Sequence, residues 1–413
     1  MKVALVCDWL TNVGGAEKVL LRLHQLYPEA PIYTSKYSPK GIDWFRDAEV
    51  KTGWLQIFPA GMRRVLGPLR QRWFSHLKLS GYDLVISVTG AEAKAVRVPD
   101  GVHICYCHAP TQYYWQMYDT YVKNPGFGVL NPLVRVCFKI LVGPLRKADL
   151  KAAQRPDWFV TISEYEREAI RKYYGRESEI IHPPVDVDNF SIRGKKSQEG
   201  EAAKQGNKIG NCQIEQGNKI EKKQEGGCAK LVEKYARELG DFDITRAYIT
   251  TSRQVNWKRI DLAVRAAVMT QRPLLVVGEG PEHAKLVKLA GGSGLVRFLP
   301  LQDKAGLAWL LGQARGYLFP SLEPFGIAPV EALSAGCPVI AYGEGGARDY
   351  VKDGVDGVTF PKQTAKSLAE AILRFEKIKF SRAKVARTAE GFSVERFDGE
   401  IKEFVGEKVG KHK

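Results

Sequence analysis

At 413 residues, with 44% hydrophobic and 26% charged residues, the chain has the composition of a globular protein of two or three domains. Its net charge of +16 suits nucleic acid, anionic lipid or phosphorylated substrates. No helix-turn-helix, zinc-finger or RNA-binding pattern accompanies that charge, which argues against nucleic acid. No run reaches the roughly 18 apolar residues that span a bilayer, and the seven cysteines form no CxxC pair of the kind that holds zinc.

The chain opens on Met1-Lys-Val-Ala-Leu-Val-Cys7, an apolar run that Asp8 ends without a cleavage pattern. It reads as a strand and not as a signal peptide, and a reduced, cytoplasmic protein is the expectation. Further strands are expected at Ile32–Thr34, Leu84–Val88, Val102–Cys107, Trp158–Ser163 and Glu179–His182, with helices at Glu17–Leu26 and Glu164–Tyr174 between them. The second half repeats the rhythm. Strands are expected at Ala247–Thr251, Leu274–Gly278, Val296–Leu299, Gly316–Pro320 and Val339–Tyr342, with helices at Ile260–Thr270 and Pro281–Gly291. Alternation of this kind predicts α/β architecture with parallel sheets, in two Rossmann-like halves.

Between the halves, residues 193–227 are rich in Lys, Glu, Gln and Gly, and Gln-Gly-Asn-Lys-Ile occurs twice, at 205–209 and 216–220. A duplicated polar segment cannot bury enough surface to offset its ordering entropy, so it reads as a disordered insertion, with a partner-binding arm as the alternative. The expected division is 1–190 for the first domain, 191–238 for the linker and 239–392 for the second domain. Ser393 is expected to cap a final helix, 393–413.

The stretch from Ser321 to Gly346 says most about chemistry. Glu323 and Glu331 flank a Pro-Phe-Gly turn, Pro329 suits a helix's first turn, Gly336 suits its end, and Pro338 blocks continuation. Glu323 then lies on a loop and Glu331 on the helix. The helix N-terminus between them attracts anions, phosphate above all. Carboxylates beside it accept hydrogen bonds from sugar hydroxyls.

With its Ala-Gly-x-Pro-Val and its following Gly-Gly in register, this stretch resembles the Glu-x7-Glu signature of retaining glycosyltransferases of family 4. That resemblance implies the GT-B fold, with the site in a cleft facing the strands' C-terminal ends and the last helix crossing back onto the first domain. In Thr250-Thr-Ser-Arg-Gln-Val-Asn-Trp-Lys258, Arg253 and Lys258 occupy the positions of the family's diphosphate-gripping pair, although Ser252 replaces the usual Gly. The resemblance also gives Glu331 the ribose hydroxyls and Glu323 the transferred sugar. Phe325, Gly326, Ile327 and Ala328 then lie along the donor. Gly278 and Glu279, which end another expected strand, line the nucleotide pocket, with a plain turn as the alternative for Glu279.

In the first half, Thr11-Asn-Val-Gly-Gly-Ala-Glu-Lys18 follows the first strand and opens the first long helix. The family reading places Gly14 and Gly15 beside the donor's diphosphate and the acceptor. The dinucleotide pattern G-x-G-x-x-G is absent, which argues against an NAD-dependent oxidoreductase. His108, just after the strand in His103-Ile-Cys-Tyr-Cys-His-Ala-Pro110, matches a His-x-Pro element that the resemblance sets near the sugar's reacting end; a lone histidine is otherwise structural. Tyr113, Tyr114, Trp115 and Tyr118 either stack on an acceptor sugar or pack against a helix.

The run from Tyr106 to Trp115 resembles the mannosyltransferase branch of polysaccharide and O-antigen assembly. GDP-mannose is therefore the expected donor, with a UDP-hexose as runner-up. A glycan or lipid-linked hydroxyl is the expected acceptor, with no metal and no further cofactor. A non-catalytic sugar-nucleotide-binding scaffold is the rival of another class. Finally, Lys51 to Tyr82 carries Lys51, Arg63, Arg64, Arg70, Arg72 and Lys78 with no acidic residue. That segment is either a solvated basic edge or a surface for peripheral contact with an anionic membrane, at the inner face of the cell membrane.

Overall fold

The computed structural model describes residues 1–59, 62, 66–123, 128, 131–191 and 227–411. The insertion expected at 193–227 lies outside the described residues save for Gly227, and so do Arg63 and Arg64. The chain divides into two compact units, Met1–Pro184 with Phe397–Lys413, and Val185–Arg396.

Among the described residues the first unit holds a seven-stranded sheet. Its strands are β1 Val3–Cys7, β2 Ile32–Thr34, β3 Val50–Thr52, β4 Leu84–Thr89, β5 Val102–Cys107, β6 Trp158–Thr161 and β7 Glu179–Ile180. They lie in the order β3-β2-β1-β4-β5-β6-β7. The second unit holds six strands, β8 Tyr248–Thr251, β9 Leu274–Val277, β10 Val296–Leu299, β11 Gly316–Phe319, β12 Val339–Tyr342 and β13 Gly357–Phe360. Their order is β10-β9-β8-β11-β12-β13. Every pairing between these strands is parallel.

All residues of β1, β4 and β5 are buried. Parallel sheets covered by helices on both faces need such continuous apolar runs, which is why the sequence shows these strands. Two strands lack that signal. β3 is only Val-Lys-Thr, half-exposed at the sheet edge, and β13 is a four-residue Gly-Val-Thr-Phe. The helix Gly227–Leu239, all but its last residue within the expected linker, belongs to the second unit, where Tyr235 stacks on Trp309 with ring centroids 4.9 Å apart. The final helix, Val394–Gly410, is capped by Ser393, whose Oγ accepts from the Arg396 N–H at 3.2 Å. From Phe397 onward it belongs to the first unit, where Arg22 Nε donates to Asp398 Oδ1 at 2.7 Å. No helix among the described residues is long and apolar enough to cross a membrane.

In each sheet the strand order turns back on itself, between β1 and β4 and between β8 and β11. Loops at the carboxyl ends of such strands diverge and leave a crevice. In the first unit Asp8 bridges that point. Its carboxylate accepts from Thr89 Oγ1 at 2.9 Å, the Gly90 N–H at 3.0 Å and the Ala93 N–H at 2.8 Å. Burial raises the Asp8 carboxyl and the Glu92 carboxylate adds to that, while these hydrogen bonds oppose both.

A buried ionic network surrounds it. Lys94 Nζ lies 2.6 Å from Asp149 Oδ1, and their side chains are 1% and 0% exposed. Thr111 Oγ1 and Tyr174 OH each donate to Asp149 at 2.8 Å, and Trp115 Nε1 does so at 2.7 Å. Burial pulls the Lys94 ammonium down, but the Asp149 carboxylate outweighs it, so the lysine stays charged. Arg70 Nε meets Glu92 Oε2 at 2.9 Å, and Tyr113 OH donates to Glu92 Oε1 at 2.5 Å.

These contacts bear on two readings that the sequence left open. Arg70 is 4% exposed, so it adds nothing to a basic surface, and Lys51 is paired with Glu49 at 3.1 Å. Of the described basic residues in that stretch, Arg72 and Lys78 remain exposed without an ion pair. Tyr113, Tyr114 and Trp115 pack within this network, where Tyr113 and Trp115 also hydrogen-bond, and they do not form an open stacking platform.

Asp149→Ala should leave the Lys94 ammonium buried without its counter-charge, at a cost of about 3–5 kcal/mol. Urea unfolding checks this, and a loss below about 1 kcal/mol would show that water reaches the lysine.

Candidate functional site

The second unit's crevice is built from the loops that follow β8, β9, β11 and β12. After β8, Thr251 is held by the neighbouring strand, its Oγ1 lying 3.0 Å from Tyr317 OH. Gln254 is fully buried and stitches this loop to the one after β9. Its N–H donates to the Glu279 carbonyl at 2.7 Å, its Nε2 to the Gly278 carbonyl at 2.5 Å, and its Oε1 lies 2.8 Å from His283 Nδ1. Arg253, next to it, is exposed, and its guanidinium has no carboxylate partner among the described residues. Asn256–Lys258 form a single 3₁₀ turn, and Arg259 follows at φ 51°. That left-handed conformation is unfavourable for a residue with a side chain. Asp261 holds Arg259 Nε at 3.1 Å, and Gln363 Oε1 accepts from Nη1 at 3.3 Å. Gln363 in turn donates to the Pro320 carbonyl at 2.9 Å, tying the β8 loop to the β11 loop. The Arg259–Asp261 pair thus sits inside a larger brace.

After β11, Ser321 Oγ donates to Glu323 Oε1 at 2.7 Å. Lys258 Nζ reaches the same oxygen at 2.6 Å, with the two side chains 22% and 18% exposed. Residues 65 positions apart are therefore joined across the point where strand order reverses. Glu323 Oε2 carries no hydrogen bond among the described residues, so one carboxylate oxygen remains to accept.

Gly326 then turns the chain at φ 96°, and a Cβ there would stand 2.7 Å from Phe319 Cζ and 2.8 Å from Tyr350 OH, so only glycine fits. Tyr350 OH donates to the Phe325 carbonyl at 2.8 Å and fixes the turn. The helix Ile327–Ser334 starts immediately. The N–H groups of Ile327 and Ala328 have no carbonyl four residues back within it, and Pro329 has no N–H to offer. Glu331, 8% exposed, is the helix's fifth residue. Gly336 closes the helix at φ 69°. After β12, the Gly346 N–H donates to the Glu323 carbonyl at 2.9 Å, so this loop holds the same residue as well.

Arg253, Lys258, Gly278, Glu279, Glu323, Phe325 to Ala328 and Glu331 thus all belong to the second unit, at or beside the carboxyl ends of its strands. Phe325 has a different part from the one the sequence suggests. Its ring is 3% exposed and packs against Tyr350 and Phe392, at centroid distances of 5.4 and 5.7 Å, so it offers a ligand only backbone. Glu279 is exposed and contributes its carbonyl to Gln254.

Gly14, Gly15 and His108 belong to the first unit. Gly14 occupies the N-cap position of the helix Gly15–Leu26. His108 follows β5, its N–H donating to the Thr89 carbonyl at 2.8 Å. Its Nε2 is enclosed without a hydrogen-bond partner among the described residues, and burial pushes its pKa down to about 4. With that pKa the imidazole is neutral at pH 7.

Sequence reading missed Asp8, Gln254, Ser321 and Gln363. Each is a common polar residue, and only burial beside a loop carbonyl or carboxylate sets it apart. The one available signal was adjacency, since Gln254 follows Arg253 and Ser321 opens the Glu323 loop.

The site's arrangement is cationic at Arg253, Lys258 and a helix N-terminus, with carboxylates alongside. Residues 233–392, all within this unit, match the family model described as glycosyl transferases group 1. The whole chain has the GT-B fold. It superposes on Anabaena HepE in complex with UDP with a TM-score of 0.66 at 18% identity, covering 98% of this chain and 100% of that one. Against sucrose-phosphate synthase from Thermosynechococcus elongatus the TM-score is 0.66 at 16% identity, covering 100% of both chains. Likeness at these identities is one of fold. In sequence, the chain is 36% identical over 102 residues to the phosphatidyl-myo-inositol mannosyltransferase of Mycobacterium leprae, covering 24% of this chain and 27% of that protein. It is 37% identical over 110 residues to the D-inositol 3-phosphate glycosyltransferase of the same organism, covering 24% and 26%. The chain spans about a quarter of the length of these curated relatives.

Gln254→Ala should leave the Gly278 carbonyl and His283 without their partners, destabilising the protein by about 1–3 kcal/mol. Denaturant unfolding measures it. A change below about 0.5 kcal/mol would mean that the β8 and β9 loops hold each other without this residue.

Proposed function

We propose that the chain is a retaining hexosyltransferase, moving mannose from GDP-mannose to a hydroxyl of a glycan or lipid-linked acceptor in cell-surface polysaccharide assembly. The contact of Lys258 Nζ with Glu323 Oε1 at 2.6 Å carries the reading. It joins the two groups that the resemblance assigns to leaving diphosphate and transferred sugar, beside exposed Arg253 and the helix start at Ile327.

In the reaction the C1–oxygen bond to the diphosphate breaks and a C1–oxygen bond to the acceptor forms on the same face. A donor phosphate oxygen takes the acceptor's proton. Arg253, Lys258 and the amides of Ile327 and Ala328 are preorganised to hold the charge that builds on the diphosphate, which is the main lever such a site has. Protein cations fill the part a metal ion would otherwise play. Glu323 accepts from sugar hydroxyls through Oε2, and Glu331 from the ribose. A neutral His108 offers a hydrogen bond near the reacting end of the sugar.

The mannosyltransferase name of the mycobacterial relative supports mannose as the sugar. A UDP-hexose is the second reading, supported by the neighbours solved with UDP and UDP-glucose. A lipid-linked acceptor would bring the enzyme to the inner face of the cell membrane.

Incubation with GDP-mannose or UDP-glucose should release GDP from the first in preference to UDP from the second; the reverse preference would move the assignment to UDP-hexoses. Lys258→Ala should lower turnover on the order of 100-fold or more, because it strips a cation from the transition state. Turnover within a few-fold of wild type would remove that role. Glu331→Ala should raise the donor KM more than it lowers kcat, since ribose is held alike in ground and transition states. Collapse of kcat at constant KM would reverse the parts assigned to the two glutamates.

A further inference from the structure

The helix Asn131–Ala153 of the first unit turns a row of large apolar side chains outward. Leu133 is 63% exposed, Val136 56%, Ile140 70% and Leu141 47%. Cys137 and Pro144 are exposed as well. Counted from Leu133 these positions fall at steps of 3, 4, 7, 8 and 11 residues, which places them on one face at about 100° per residue. The helix already has its inner anchor in Val142, Asp149, Ala152 and Ala153, which are buried. The outward row is therefore surplus to the core.

Charge around the row is of one sign. Residues 120–148 contain Lys123, Arg135, Lys139, Arg146 and Lys147 and no aspartate or glutamate. The two arginines are committed to their own unit. Arg135 Nε donates to the Val122 carbonyl at 2.9 Å, and Arg146 Nε to the Tyr114 carbonyl at 2.7 Å. Lys123, Lys139 and Lys147 are exposed, with no ion pair among the described residues. The helix Gly67–His76 lies in contact with this one and adds exposed Leu69 and Arg72.

We propose that this face docks on an anionic lipid surface, with Leu133, Val136, Ile140 and Leu141 entering the boundary between headgroups and acyl chains and the lysines meeting lipid phosphates. An in-plane helix with an apolar face and basic flanks has the composition that such surfaces bind. Charge selects this occupant over a second copy of the chain, because a twofold pairing would set two acid-free basic flanks against each other. The inference extends the lipid-linked acceptor reading above and centres the contact on the helix Asn131–Ala153, with only Leu69 and Arg72 joining from the Lys51–Tyr82 stretch, whose Arg70 is buried and whose Lys51 is paired.

Full-length protein is sedimented with vesicles of phosphatidylcholine alone and of phosphatidylcholine with phosphatidylglycerol. Binding is expected only to the mixed vesicles. It should weaken several-fold when salt rises from about 0.1 M to 1 M and the Debye length falls from about 10 Å to 3 Å. Ile140→Glu should lower it about tenfold or more, and Lys139→Glu several-fold, with melting temperatures unchanged because both side chains are exposed. Equal binding to the two vesicle types, no binding to either, or full binding by Ile140→Glu would overturn the proposal. So would a concentration-dependent dimer that Ile140→Glu abolishes, which would assign the face to a second copy. Donor consumption measured without vesicles keeps the two readings apart. Lost vesicle binding with intact consumption overturns docking alone, and lost consumption with intact binding overturns the transferase reading alone.

Discussion

Lys258 and Glu323 meet at the place where the second sheet's strand order reverses, and much of the local architecture exists to hold them there. Parallel strands leave their carboxyl-end loops to diverge at such a point, and nothing in the ladder of backbone hydrogen bonds ties those loops together. Side chains must do it. Gln363 ties Arg259 to the Pro320 carbonyl, Gln254 ties the β8 loop to the β9 loop, and the Gly346 N–H ties the β12 loop to Glu323. The ion pair itself is only partly buried. Both groups are short of full hydration and still open to a ligand, a state in which an incoming diphosphate or polyol can compete for them.

The first unit meets the same constraint differently. There Asp8 spans the reversal between β1 and β4, but it is buried and fully engaged by Thr89, Gly90 and Ala93. Behind it, Lys94 with Asp149 and Arg70 with Glu92 are closed off from water. Buried pairs with every lone pair occupied fix geometry and resist exchange with ligands. The two crevices thus share a topology and divide in chemistry. One is a rigid polar frame, and the other keeps unspent donors and acceptors at Arg253, Lys258 and Glu323.

The net charge of +16 resolves along the same line. Some cations are internal braces, as with Arg70 and Lys94. Arg253 and Lys258 stand at the reversal point of the second sheet. Others, such as Lys139 and Lys147, flank an apolar row on a helix surface. A single number for the chain therefore sums three unrelated physical roles, which burial and position in the fold separate.

The sequence by itself determined the fold class and most strand positions, because a parallel sheet covered on both faces demands continuous apolar runs such as Val3–Cys7, Val102–Cys107 and Val339–Tyr342. It also determined the turn chemistry of the Glu323–Gly336 stretch, since Gly326, Pro329 and Gly336 each answer a local backbone requirement. Edge strands β3 and β13 were illegible because a short, half-exposed or glycine-led segment carries no run. Tertiary structure alone decided which polar residues matter. Gln254 and Ser321 look ordinary until burial sets them against a carbonyl and a carboxylate. Arg70 looks like a surface cation until Glu92 is found beside it. Phe325 looks like a ligand contact until its ring is seen against Tyr350 and Phe392. Local propensity is written in neighbouring residues, whereas burial and charge pairing depend on segments far apart in the chain, and folding is what brings them together.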